Sequence, residues 1–143
     1  MTLELHATPE EVMRAVESLQ QFGQARQIPE KTLFGLSLAL EECGSNIVNH
    51  ALRGDEQQTF RVTFNHTERA LVIELRDNGP EFDPTQVAMR EETTHDDNRT
   101  PGGWGIQLVR RYTDEICYMR DGSENVLRLT KGLDGPTGQK RPC

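Results

Sequence analysis

The chain reads as a two-layer α+β sandwich, and three observations predict it. Two stretches with helical apolar periodicity come first, short alternating runs follow in two pairs, and a third helical stretch separates the pairs. Elements in the order helix, helix, strands, loop, helix, strands pack most simply as one sheet covered by helices. At 143 residues the chain has the size of one domain. Its 34% hydrophobic and 27% charged residues match a globular protein.

Thr8-Pro9-Glu10-Glu11 reads as a capping box, with proline in the first turn and Glu11 reaching back to the cap. Val12, Ala15, Val16, Leu19 and Phe22 then recur at helical spacing. Ile28-Pro29-Glu30 restarts the chain into a second helix running to about Ala51. After a Gly54-Asp55 turn, Phe60, Val62 and Phe64 alternate with polar residues, and Leu71 to Leu75 forms a second run. The 65–69 segment suits a hairpin between them. A third helix opens at Gly102-Gly103-Trp104-Gly105, with Ile106, Leu108, Val109 and Tyr112 as its apolar positions. Ile116 to Met119 and Val126 to Thr130 are strand-like runs around Asp121-Gly122, a hairpin-turn signal. The polar 85–101 stretch reads as a long loop. These elements make a single domain over 1–131, and the Gly- and Pro-rich 132–143 segment reads as a disordered tail.

A net charge of −7 argues against nonspecific attraction to nucleic acid or anionic lipid. No apolar run approaches the roughly 20 residues of a membrane span, and MTLELHATPEE has no secretory-signal pattern. Cys43, Cys117 and Cys143 share no metal-ligand spacing, and three cysteines suit no complete disulfide framework. Cys43 and Cys117 fall in helix and strand patterns, where a buried thiol acts as a small apolar group. A reducing, cytoplasmic setting is the simplest reading.

Three segments carry chemistry. On the second helix Glu42, Asn46 and Asn49 fall within roughly 60° of one another, opposite Leu33, Leu36, Leu40, Ile47 and Ala51. Such a stripe is commonly a solvated face, yet Leu38 and Ala39 share its side one turn earlier, as a partly covered pocket requires. A carboxylate and a carboxamide there offer oxygen ligands of the kind Mg²⁺ prefers, and a carboxylate also serves as a base. Asp77-Asn78-Gly79 ends a buried run; in isolation it is a plain Asx turn, but its glycine permits close approach of a ligand. Pro101-Gly102-Gly103-Trp104-Gly105 is either a flexible loop or a backbone nest at a helix start, where free N–H groups favour phosphate. It is neither a Walker loop nor a dinucleotide fingerprint.

This succession resembles the Bergerat-fold ATPase and kinase superfamily of gyrase, sensor histidine kinases and heat-shock chaperones. It is most similar to the anti-sigma factor serine kinases of bacterial partner-switching systems. The resemblance runs over residues 5–131. It rests on the Glu41 to Ala51 segment, Asp77-Asn78-Gly79 with Phe82-Asp83-Pro84, Gly102 to Ile106, and Asp114-Glu115-Ile116. It implies a two-layer Bergerat-type sandwich with a mixed, mainly antiparallel sheet and helices on one face. It implies ATP and Mg²⁺ as ligands, with Asn46 holding the metal, Glu42 the general base, and Asp77 accepting from the adenine amino group. Gly79 gives the base room to approach. Asn49, His50, Gly102, Gly103, Trp104, Gly105 and Ile106 complete the nucleotide site, 85–101 is the ATP lid with Arg99 a candidate phosphate contact, and Thr130 matches a hydroxyl position near adenine. His50 stands where the serine kinases often have histidine.

The implied activity is a serine/threonine-protein kinase acting on a STAS-domain anti-sigma factor antagonist, with a sigma factor or other regulatory target as second partner. Family members commonly form homodimers. A catalytically weak, ATP-dependent binding module is the alternative, and the presence of Glu42 favours the kinase.

Overall fold

Five strands form one sheet in the order β1-β2-β3-β5-β4, from Thr2–His6, Thr59–His66, Ala70–Asp77, Glu115–Asp121 and Glu124–Gly132 as β1 to β5. The computed structural model describes residues 1–86 and 105–133. Of the expected lid only Thr85 and Gln86 fall within it, in a helical turn capped by Asp83, whose Oδ1 accepts from the Thr85 amide at 2.9 Å. Arg99, Gly102, Gly103 and Trp104 lie outside the described residues, as does the expected tail beyond Leu133.

Every strand pairing among the described residues is antiparallel, in keeping with the mainly antiparallel sheet expected. Hairpins join β2 to β3 and β4 to β5, and a tight connection forces its strands antiparallel. At the second hairpin Asp121 pairs with Glu124, leaving Gly122 and Ser123 as a two-residue turn in which Gly122 takes φ of 60°. The first is closed by Thr67, whose Oγ1 accepts from the Ala70 amide at 3.1 Å.

β1 has no counterpart in the sequence reading. Only Leu3 and Leu5 alternate there, too few to separate a strand from a polar terminus. Pairing with β2 places Leu5 opposite Phe60 and buries it fully. At the other end β5 continues through Gly132, and the Leu133 amide donates to Arg69 O at 2.8 Å.

The helices α1 (Pro9–Gln24), α2 (Glu30–Asn46) and α3 (Gly105–Tyr112) cover one face of the sheet. Thr8 caps α1 by accepting from the Glu11 amide at 3.2 Å; the Glu11 carboxyl reaches back to the His6 amide rather than to Thr8. All five expected apolar positions of α1 are buried. So are Leu33, Leu36 and Leu40 on α2, against Phe60, Val62, Phe64, Leu71, Ile73 and Leu75. The opposite sheet face is ionic: Arg61 pairs with Glu124 at 2.6 Å, and Glu74 takes Arg76 at 2.7 Å and Arg128 at 2.8 Å. This one-sided amphipathicity is what alternation in β2 and β3 encodes.

α2 does not end cleanly. A π-helical turn, Ile47–Ala51, follows it directly, with the Leu52 amide donating to Ile47 O at 2.8 Å. Cys43 is a free, buried thiol whose pKa burial pushes up to about 12. Cys117 sits half-buried on the edge strand β4 rather than in the core.

Leu40, 1% exposed, lies between α2 and the sheet. Leu40→Ala is expected to lower the free energy of unfolding by about 2–5 kcal/mol in urea titrations; a loss below about 1 kcal/mol would contradict the packing described.

Candidate functional site

Asp77, 4% exposed, is the last residue of β3 and the centre of the site. Its Oδ1 accepts from the Gly79 amide and from Asn125 Nδ2, both at 2.9 Å. Among the described residues nothing donates to Oδ2. Burial raises the Asp77 pKa, and the hydrogen bonds from Asn125 and Gly79 work against that rise. A carboxylate with one oxygen fixed and the other open is built to accept a donor from a ligand.

Asn125 is the residue the sequence reading missed. It lies opposite Asp77 in the β3–β5 register and is itself 4% exposed. Its Oδ1 accepts from Tyr118 Oη at 2.5 Å, from Arg120 Nη1 at 3.1 Å and from the Phe82 amide at 3.1 Å. Its Nδ2 also donates to Pro80 O at 2.9 Å, and Arg120 donates to Gly79 O at 2.8 Å. One amide thus ties the strand-end carboxylate to the 79–82 turn and to β4. Parity was the available signal: Leu127 and Leu129 are the inward positions of β5, and Asn125 continues that series.

Thr130, by contrast, lies away from Asp77. It pairs with Val72, near the far end of β3 from Asp77, on the same side as exposed Arg128. At about 3.3 Å per residue it lies roughly 16 Å along the strand from Asn125. The position beside the carboxylate belongs to Asn125.

Asn46, half-buried, lines a cleft with Cys43, Ile47, Asp77, Phe82, Pro84, Tyr118, Asn125 and Leu127. The expected Glu42–Asn46–Asn49 stripe does not persist. The π turn adds a residue to the helical repeat just beyond Asn46, which rotates Asn49 off the line. Asn49 is exposed and lines neither this cleft nor the groove beside Glu42. His50 stacks on Phe82, ring centroids 5.6 Å apart at 14°. The cleft is small, about 20 Å³.

Gly79 has a packing reason beyond ligand access. A Cβ there would stand 2.5 Å from Ala51 O and 2.9 Å from Asp77 Oδ1, so the turn closes on the π segment only without a side chain.

Glu42, half-buried, lies one turn before Asn46 beside a separate open groove of about 340 Å³, shared with Gly105, Gln107, Leu108 and Arg111. Gly105, buried at the first position of α3, has no room for a Cβ because the Glu42 carboxyl fills that space. Burial raises the Glu42 pKa and the charge of Glu41 adds to the rise. Among the described residues the carboxyl accepts no hydrogen bond. Ile106, next on α3, is 2% exposed and faces the core.

The site fits a nucleotide. It pairs a buried acceptor with an open oxygen, a glycine-led helix start whose N–H groups favour phosphate, and a carboxamide between them. Among the described residues no cluster of His, Cys, Asp and Glu could hold a metal alone.

Comparison with known proteins agrees. Residues 5–131 match the histidine kinase-like ATPase domain model. The serine/threonine-protein kinase BtrW of Bordetella bronchiseptica is 30% identical over 129 residues, covering 90% of this chain and 91% of its own. The serine-protein kinase RsbW of Listeria innocua is 26% identical over 138 residues, covering 94% and 87%. Among solved structures, a chain of the SiaB–SiaC complex from Pseudomonas aeruginosa superposes with a TM-score of 0.63 at 12% identity, covering 93% of this chain and 89% of that one. The chain belongs to the histidine kinase-like ATPase domain family, an ATP-binding fold. Within that family it is a protein kinase of the serine/threonine class.

Two outcomes follow from the buried groups. Asn125→Leu keeps the branched side-chain skeleton but strips the hydrogen bonds, so ATP affinity should fall about tenfold and stability by about 1–3 kcal/mol; a folded variant with unchanged affinity would remove Asn125 from the site. Glu42→Gln should raise the melting temperature at pH 7. A carboxyl whose folded pKa is raised costs stability above that pKa and nothing below its unfolded value. The gain should therefore fade as the pH falls through the raised pKa toward 4. Thermal unfolding across pH checks this, and a gain that persists in acid would contradict it.

Proposed function

We propose that the chain phosphorylates a serine or threonine of a STAS-type antagonist protein, and that it holds a sigma factor or another regulatory target when not bound to that antagonist. The single supporting observation is Glu42. It is a half-buried carboxyl without a hydrogen-bond partner among the described residues, one helical turn from Asn46 and against the first turn of α3, beside an open groove.

In this reading Glu42 takes the proton from the acceptor hydroxyl. Its raised pKa brings it nearer the working pH of a general base. Asp77 Oδ2 accepts from the adenine amino group, with Asn125 holding the carboxylate in place. Asn46 supplies an oxygen to Mg²⁺, and Gly105 lets the helix start lie close to phosphate. ATP with Mg²⁺ supplies the transferable phosphoryl group and most of the charge neutralisation. The protein's share is positioning and the exclusion of water. The kinships to BtrW and RsbW support a protein substrate, and the added phosphate charge would release the antagonist and free the chain for its other partner. No described helix is long and apolar enough to cross a membrane, which accords with a cytoplasmic regulator.

Incubation with Mg-ATP and the STAS-domain protein encoded nearest the gene should yield phosphoserine or phosphothreonine by mass spectrometry. Glu42→Ala should cut the transfer rate about 10²- to 10⁴-fold while ATP affinity survives. Asn46→Ala and Asp77→Ala should instead weaken ATP binding itself. Transfer at the normal rate by Glu42→Ala would rule out that carboxyl as the base.

A further inference from the structure

α2 and α3 lie side by side in opposite directions. Gly105 sits against Glu42 at one end and Tyr112 against Gly35 at the other, seven residues apart on each helix. The groove between them is floored by half-buried Leu108 and walled by Glu42 and Arg111. Its volume of about 340 Å³ falls in the range of ligand sites.

Arg111 is exposed and makes no ion pair among the described residues; its guanidinium stands 5.8 Å over the Tyr112 ring. It lies six residues past Gly105, about 9 Å along the helix. The groove thus carries the Glu42 carboxyl at one end and, toward the other, a cation that makes no ion pair among the described residues. An extended chain covers about 9 Å in roughly three residues. On a protein of net charge −7, a local arginine is what makes an acidic residue welcome at this spot.

We propose that this groove receives the acceptor segment of the phosphorylated protein as an extended strand, with its serine or threonine at Glu42 and an aspartate or glutamate two or three residues away on Arg111. Arg111 is then a specificity-determining residue, and apolar contact with Leu108 holds the backbone between the two polar anchors. The assignment rests on the reading of Glu42 as the base.

The test uses two fluorescein-labelled nonapeptides with one central serine, carrying Asp or isosteric Asn three residues to either side. Each is titrated by fluorescence anisotropy with the full chain, Mg²⁺ and a non-hydrolysable ATP analogue. The Asp peptide should bind about fivefold tighter, as expected for an exposed charge pair. Arg111→Ala should abolish the preference, Arg111→Glu should reverse it, and Arg111→Lys should retain part of it. Equal binding, no binding of either peptide at millimolar concentration, or a preference surviving in Arg111→Ala would each overturn the assignment. Analogue affinity and phosphotransfer are measured on the same preparations. Loss of those in the wild type refutes the kinase reading, whereas their survival without a peptide preference refutes the groove assignment alone.

Discussion

A carboxylate buried at the end of a strand must be solvated by the protein itself, and the rest of the site follows from how this chain does it. Asp77 loses most of its water and gains the Asn125 amide and the Gly79 N–H in exchange. Unpaired, such a group would cost several kcal/mol or take up a proton. Paired on one oxygen only, it stays available to a ligand on the other. Asn125 meets this need because it is the cross-strand neighbour of Asp77, and because Tyr118, Arg120 and the Phe82 amide use up its own oxygen. The hydrogen-bonded cluster therefore fixes the carboxylate, the 79–82 turn and the β4–β5 hairpin as one unit.

Two close approaches lock the helices to that unit. Gly79 meets the Ala51 carbonyl of the π turn, and Gly105 meets the Glu42 carboxyl, each where a Cβ would not fit. Both glycines act through missing volume rather than unusual backbone angles. The result is an arrangement in which α2 serves two spaces at once. Asn46 looks into the small cleft with Asp77, and Glu42 into the larger groove beside α3.

Much of this was legible in the residues. Alternation in β2, β3 and β5 and the Asp121-Gly122 turn gave the strands, because one buried face imposes a period of two. Glu42, Asn46, Asp77 and Gly105 were legible because they sit in segments whose order, together, fits a family. β1 was not, since two leucines in five residues carry too little periodicity. The placing of Asn49 was not legible, because the 100° rule assumes an unbroken α-helix and nothing local in Ile47 to Ala51 announces a π turn. The placing of Thr130 was not legible for a different reason. Register between β3 and β5 is a long-range property, set by strands 48 residues apart at the Asp77–Asn125 pair, and a hydroxyl in the last strand looks suitable wherever it falls. The polar residue on the buried parity of β5 was the better guide.

The central claim is that these separated segments form one cleft selective for adenine nucleotide, and isothermal titration of the purified chain with ATP and GTP in the presence of Mg²⁺ tests it most directly. ATP should bind with measurable heat and GTP at least tenfold more weakly, because the guanine 6-oxo group offers Asp77 an acceptor where adenine offers a donor. Equal affinity for the two, or no binding of either, would contradict the cleft described.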